Sequence, residues 1–118
     1  MRIIIAGSRD FHDYKRLVAI CDQLLESLNA EKEIEFVSGG ARGADRLGEA
    51  YARERGYPIK RFPADWKKWG KMAGPIRNQQ MAEYADGAIV FWDGKSRGTR
   101  SLIQALKKEE KWIKLVVI

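Results

Sequence analysis

The chain has 118 residues, 45% of them hydrophobic and 32% charged, with a formal net charge of +6. That length suits one domain, taken as residues 1–118, and the balance of apolar and charged residues excludes disorder, collagen-like repeats and a coiled coil. No apolar run approaches the roughly 18 residues of a membrane span, so no membrane partner is expected, and the basic excess favours anionic partners such as nucleotides or nucleic acids.

Met1-Arg2-Ile3-Ile4-Ile5 leads straight into Ala6-Gly7-Ser8, too short an apolar start for a signal peptide. The single cysteine, Cys21, cannot form an internal disulfide. Both features point to the reducing cytoplasm.

Arg2 to Ala6 is a β-branched run closed by Gly7, the pattern of a buried first strand ending in a tight turn. From Asp13, which is placed to cap a helix, Leu17, Ile20, Cys21, Leu24, Leu25 and Leu28 recur at three- and four-residue spacing. Ile34 to Ser38 is a second strand. Gly39-Gly40-Ala41-Arg42-Gly43-Ala44-Asp45 then leads into a helix ending near Gly56. Pro58 to Phe62 makes a third strand at an edge, because Pro58 lacks an amide donor and Lys60 and Arg61 would be awkward under cover. Pro63 to Gly74 has no clear period and is expected to be a loop or lid. Pro75 fits the first turn of a helix running to about Tyr84. Gly87 to Trp92 is the fourth strand. A loop from Asp93 through Thr99 precedes a helix to about Lys108, and Trp112 to Ile118 is the fifth strand.

Five strands alternating with helices predict a parallel sheet covered on both faces, a three-layer α/β/α sandwich of Rossmann-like type. Ligands of such sheets bind outside the carboxyl ends of the strands. The candidate ligand-binding residues therefore come from three loops: Gly7, Ser8, Arg9 and Asp10; Gly39, Gly40, Ala41, Arg42, Gly43, Ala44 and Asp45; and Asp93, Gly94, Gly98 and Thr99. Glycines let the backbone approach a ligand, and amides at the helix start point at an anion. A tight strand-to-helix turn alone would also explain the glycines. Arg77 and Asn78, in the first turn of the helix begun by Pro75, are placed to read a phosphate, ribose or base edge. Asp65 and Trp66 join the set from the lid, where Trp66 and Trp69 among lysines suit base stacking or simple packing. With His12 the only histidine, no multi-histidine metal site is possible.

Five stretches carry a family resemblance: Ala6-Gly7-Ser8-Arg9, Ser38 through Asp45, Phe62-Pro63-Ala64-Asp65-Trp66, Ala73 through Met81, and Gly98-Thr99. In that order they resemble the SLOG superfamily, and within it the small YspA-like, cpYpsA-related proteins of bacteria and phages. The resemblance implies a Rossmann-like sheet of order 3-2-1-4-5, a pocket formed by the loops after strands one, two and four, and a homodimer or larger assembly. The superfamily also holds the lonely-guy phosphoribohydrolases, the DNA-processing protein A and sensor domains for nucleotide-derived signals. The lonely-guy pattern places a glutamate three residues after the threonine of its Gly-Thr motif, and this chain has Leu102 there. Arg77 matches an arginine that those hydrolases also use.

The resulting expectation is a domain that binds or senses a nucleotide or an ADP-ribose-like phosphorylated ligand, with magnesium left open and no metal held by the protein itself. Two alternatives stand beside it. One is a nucleotide hydrolase that activates water with Asp10, Asp65 or Asp93, no catalytic residue being identified. The other is binding of single-stranded DNA through Trp66, Trp69 and the neighbouring lysines.

Overall fold

In this computed structural model, residues 1–28 and 33–118 are described. Five strands, β1 (Arg2–Gly7), β2 (Glu35–Ser38), β3 (Ile59–Arg61), β4 (Gly87–Trp92) and β5 (Trp112–Val117), pair in parallel in the order β3-β2-β1-β4-β5. This is the Rossmann-like α/β sheet that the resemblance implies. The helices are α1 (Tyr14–Ser27), α2 (Ala44–Arg55), α3 (Trp66–Trp69), α4 (Ala73–Tyr84) and α5 (Arg97–Lys108).

Side chains on a strand alternate between the two faces of the sheet, so β1 feeds two cores at once. Ile3 and Ile5 join Leu17, Cys21 and Leu25 of α1 and Tyr51 and Ala52 of α2 on one face. Ile4 and Ala6 join Met81 and Ala82 of α4 and Leu102, Ile103 and Leu106 of α5 on the other. Both faces being covered, the central strands carry runs of apolar residues instead of an alternation: Ile3, Ile4 and Ile5 are at most 1% exposed and Ala88 through Phe91 fully buried. Burial of each such Ile or Leu stabilises the fold by about 1.5–3 kcal/mol. Asp13 caps α1 as its position predicts, its carboxylate accepting from the Arg16 amide at 3.1 Å. Cys21 lies in this core, where burial pushes its thiol up to about 12 and makes it a packing group.

Two expectations are corrected. The stretch expected to be a loop holds α3 and a 3₁₀ turn, Gly70–Met72. Asp65 nucleates α3 by accepting from the Lys68 amide at 3.1 Å, and a helix this short has no room for an apolar period to announce it. Helix α4 begins at Ala73, two residues before Pro75, which still lies in the first turn where its missing amide costs no helical bond. Arg77 and Asn78 consequently stand in the second turn of α4, not the first.

The chain runs from β1 outward to β3, then returns to the other side of β1 for β4 and β5. The strand order therefore reverses between β1 and β4. Their carboxyl ends splay two loops apart, and a crevice opens between them.

Candidate functional site

The loops that leave the carboxyl ends of β1 and β2 are shaped by contacts a glycine alone permits. Gly43 has φ +81°, and a Cβ there would sit on the carbonyl oxygens of Ser8 and Arg9. The loop after β2 thus lies directly against the loop after β1, and the Ala44 amide donates to the Ser8 oxygen at 3.3 Å across the seam.

A cleft of about 480 Å³ opens beside this seam, lined by Arg9, Gly39, Gly40, Ala41, Arg42, Arg46, Arg61, Pro63, Ala64, Trp66 and Arg77. It continues past Arg9, Ala41 and Arg77 into a small deep pocket lined also by Gly7, Asp45, Asn78, Ser96, Gly98, Thr99 and Leu102. The deep pocket lies between the ends of β1 and β4, at the reversal of strand order.

Five guanidiniums line the cleft and no carboxylate does. Two of the five are fastened. Arg77 donates from Nη1 to the Gly39 carbonyl at 2.8 Å and from Nε to Asn78 Oδ1 at 3.0 Å. Burial lowers the pKa of Arg77, Asp45 raises it and the nearby Arg9 lowers it further, although a guanidinium keeps its charge throughout. Arg61 grips both carboxylate oxygens of Glu49, with Nε at 3.1 Å from Oε2. Glu49 is 3% exposed and accepts from Ser38 Oγ at 2.7 Å, and Ser38 Oγ in turn accepts from the Gly40 amide at 3.0 Å. Burial works to raise the pKa of Glu49, but the hydrogen bonds from Arg61 and Ser38 prevail and hold it below its ordinary value. Arg42 makes only a loose pair with Asp10 at 3.8 Å, both side chains being largely exposed. Among the described residues no carboxylate pairs with Arg9 or Arg46.

Asp45 is the titratable group of the deep pocket. Burial pushes its carboxyl up to about 6, against the pull of the Ala41 and Gly7 amides and of Arg77. Asn78 joins the two helical sides of the site by donating to the Gly98 carbonyl at 3.1 Å. Thr99 is buried and hydrogen-bonded to Ser96 Oγ at 3.1 Å. Leu102, where the phosphoribohydrolase pattern has a glutamate, presents an apolar wall to the same pocket.

Of the residues singled out from sequence, Arg9, Gly39, Gly40, Ala41, Arg42, Trp66 and Arg77 meet at the cleft, and Gly7, Asp45, Asn78, Gly98 and Thr99 at the deep pocket. The others serve the scaffold or the rim. Ser8 is buried and receives the Asp93 amide on its hydroxyl at 3.2 Å. Gly43 and Ala44 form the seam, Asp10 stands exposed at the rim beside Arg42, and Asp65 caps α3. Asp93 closes its own turn by accepting from the Lys95 and Ser96 amides, both at 2.8 Å, with Gly94 inside that turn; those bonds hold its carboxyl below its ordinary pKa.

The amides of the glycine loop are also partly spent within the protein. Gly40 donates to Ser38, Ala41 to Asp45 at 3.4 Å and Ala44 to Ser8, so guanidiniums supply most of the positive lining. Neither Arg46 nor Arg61 is placed at the site by the sequence, where Arg61 serves only as evidence for an edge strand. A signal for Arg61 exists: it ends β3, in register with Ser38 at the end of β2, and so must face the glycine loop.

The family described as YspA, cpYpsA-related SLOG has a model that matches residues 1–69 of the chain. The Gene 61 protein of Mycobacterium phage D29 is 34% identical over 114 residues, covering 91% of this chain and 89% of that protein. Among solved structures, DNA processing protein A (DprA) from Streptococcus pneumoniae is similar with a TM-score of 0.73 and 18% identity, over 95% of this chain. This chain spans 48% of that one, and the likeness at such identity is one of fold.

Proposed function

From the premise that this chain belongs to the YspA, cpYpsA-related SLOG family, we propose that its cleft binds a nucleotide or nucleotide-derived phosphorylated ligand. One observation carries the proposal: five arginines converge on a single concave surface with no carboxylate among the residues that line it. Like charges gathered this way repel each other, and an anion with several acceptor oxygens relieves that repulsion through forked, charge-assisted hydrogen bonds. A volume of about 480 Å³ is in the range of small-molecule sites. Trp66 supplies an aromatic face at the mouth, 56% exposed, on which a base can stack.

Hydrolysis is the less supported alternative. Asp10, Asp65 and Asp93 stand outside both depressions or are engaged in capping, which leaves Asp45 as the carboxyl positioned to move a proton. Calorimetry with nucleoside mono- and diphosphates and an ADP-ribose-like compound tests the binding function, and saturable binding lost in Arg77→Gln is the expected result. Absence of heat with every one of them at millimolar concentration would refute it. Chromatography of the same mixtures for free base or phosphate separates binding from turnover.

A further inference from the structure

Building on the phosphorylated-ligand function above, we infer that the ligand carries at least two linked phosphoryl groups, as in a nucleoside di- or triphosphate or an inorganic polyphosphate. A terminal phosphoryl group carries a charge of about −1.5 to −2, which two guanidiniums suffice to neutralise. Five guanidiniums line this cleft.

The cations cannot simply gather around one phosphorus, because two of them are anchored to different parts of the fold. Arg61, at the end of β3, is fixed on buried Glu49. Arg77, on α4, is fixed on the Gly39 carbonyl. Each stands against a different one of two consecutive glycines: a Cβ on Gly39 would lie 2.7 Å from Arg77 Nη1, and a Cβ on Gly40 would lie 3.3 Å from Arg61 Cδ. The bare Gly39-Gly40 turn is therefore a floor with a fastened guanidinium at each residue. Arg9 and Arg46 add charge from the loop after β1 and from the first turn of α2, with no carboxylate of a described residue to pair with. Glu49 already compensates Arg61, which leaves Arg9, Arg42, Arg46 and Arg77 to a ligand; one phosphoryl group leaves part of that set unmatched and mutually repelling, and a chain of two or three reaches several of its members.

A nucleic acid strand also carries repeated phosphates, but its sequence-tolerant binding uses successive aromatic platforms along a groove. Trp66 is the aromatic residue of the cleft, and the exposed Trp69 lines a separate depression with Asp65 and Lys68. The arrangement favours a small molecule.

The test is calorimetry at constant ionic strength with AMP, ADP, ATP, inorganic tripolyphosphate and oligo(dT). ADP and ATP are expected to bind at least tenfold more tightly than AMP, and Arg9→Gln and Arg46→Gln, both at exposed positions, to shrink that ratio with an unchanged circular dichroism spectrum. Tripolyphosphate binding shows whether the phosphate chain suffices, and quenching of tryptophan fluorescence by ATP but not by tripolyphosphate assigns the nucleotide as the source. A preference for ADP over AMP of less than tenfold overturns the inference while leaving phosphorylated-ligand binding intact. No binding of ADP, ATP or tripolyphosphate removes the inference, and no binding of AMP and the ADP-ribose-like compound as well removes the phosphorylated-ligand function. Oligo(dT) bound in the absence of ATP binding overturns it in favour of a strand.

Discussion

Arg77 Nη1 donates to the carbonyl oxygen of Gly39 at 2.8 Å, tying α4 to the loop after β2. The neighbouring Asn78 extends the tie to the Gly98 carbonyl at the start of α5, at 3.1 Å. Two adjacent residues of one helix thereby set the separation of two loops that bound the deep pocket. Replacing Arg77 by Gln or Lys is expected to lower nucleotide affinity at least tenfold and stability by about 1–3 kcal/mol, since the Gly39 and Asn78 acceptors lose their donor in a half-buried place. Lys does not rescue, because an ammonium lacks the planar fork that serves both acceptors at once. Equal affinities for wild type and Arg77→Lys in calorimetry would contradict this.

Asp45 is expected to make both stability and ligand binding depend on pH. Its folded-state pKa of about 6 lies above the ordinary 3.8. The folded protein therefore holds this proton more tightly than the unfolded chain, and the associated stability is present below about pH 4 and lost as pH rises through about 6. A shift of this size corresponds to about 3 kcal/mol. Asp45→Asn should remove that slope from urea midpoints measured between pH 4.5 and 7.5. Protonation also withdraws a negative charge from beside Arg77. A dinucleotide joined by a pyrophosphate diester, whose own charge is constant over this range, should bind wild type more tightly at pH 5 than at pH 7.5, and Asp45→Asn equally at both. An unchanged pH profile in the variant would exclude Asp45 as the cause.

Glycines in these loops separate into packed and open positions. At Gly43 the positive φ and the Ser8 and Arg9 carbonyls leave no room for a Cβ, so Gly43→Ala is expected to lose more than about 2 kcal/mol, measured by urea unfolding. Gly98 lacks both constraints: nothing lies within 4 Å of its would-be Cβ, and it sits in the first turn of α5. Gly98→Ala should keep or raise stability by up to about 1 kcal/mol. A fivefold or greater loss of affinity in that variant would place the ligand against the α5 N-terminus, and full retention would place it in the outer cleft alone.

These positions also show what could be taken from the sequence. The Ile3-Ile4-Ile5 and Ala88 to Phe91 runs announce strands buried on both faces, and Asp13 with the period from Leu17 to Leu25 announces α1, because local pattern and tertiary burial agree there. The loops after β1, β2 and β4 follow from the rule for parallel sheets. Arg46 and Arg61 do not, since an arginine at a helix start or strand end looks like any solvated surface cation until the sheet order puts it beside the glycine turn. Nor does sequence disclose that Ser38, Asp45 and Ser8 accept from the loop's own amides. Such short-range hydrogen bonds depend on three-dimensional geometry, and they leave guanidiniums as most of the positive lining of the cleft. Helix α3 was hidden for a related reason: one cap and four residues carry too little period.

Substitution of Trp66 is expected to separate base recognition from phosphate recognition. The Trp66 ring lines the cleft and is 56% exposed, so Trp66→Ala also gives up the buried remainder of a large side chain and is expected to lower stability by about 1–2 kcal/mol. Stacking of a base on an aromatic face contributes about 1–3 kcal/mol, which predicts roughly a tenfold to hundredfold loss of affinity for an adenine nucleotide in that variant. Inorganic tripolyphosphate, having no base, should bind the variant and wild type alike, and Trp66→Phe should recover most of the nucleotide affinity. A parallel loss for nucleotide and tripolyphosphate would instead mean that Trp66 props the arginine wall open, an effect on the shape of the cleft and not on the base.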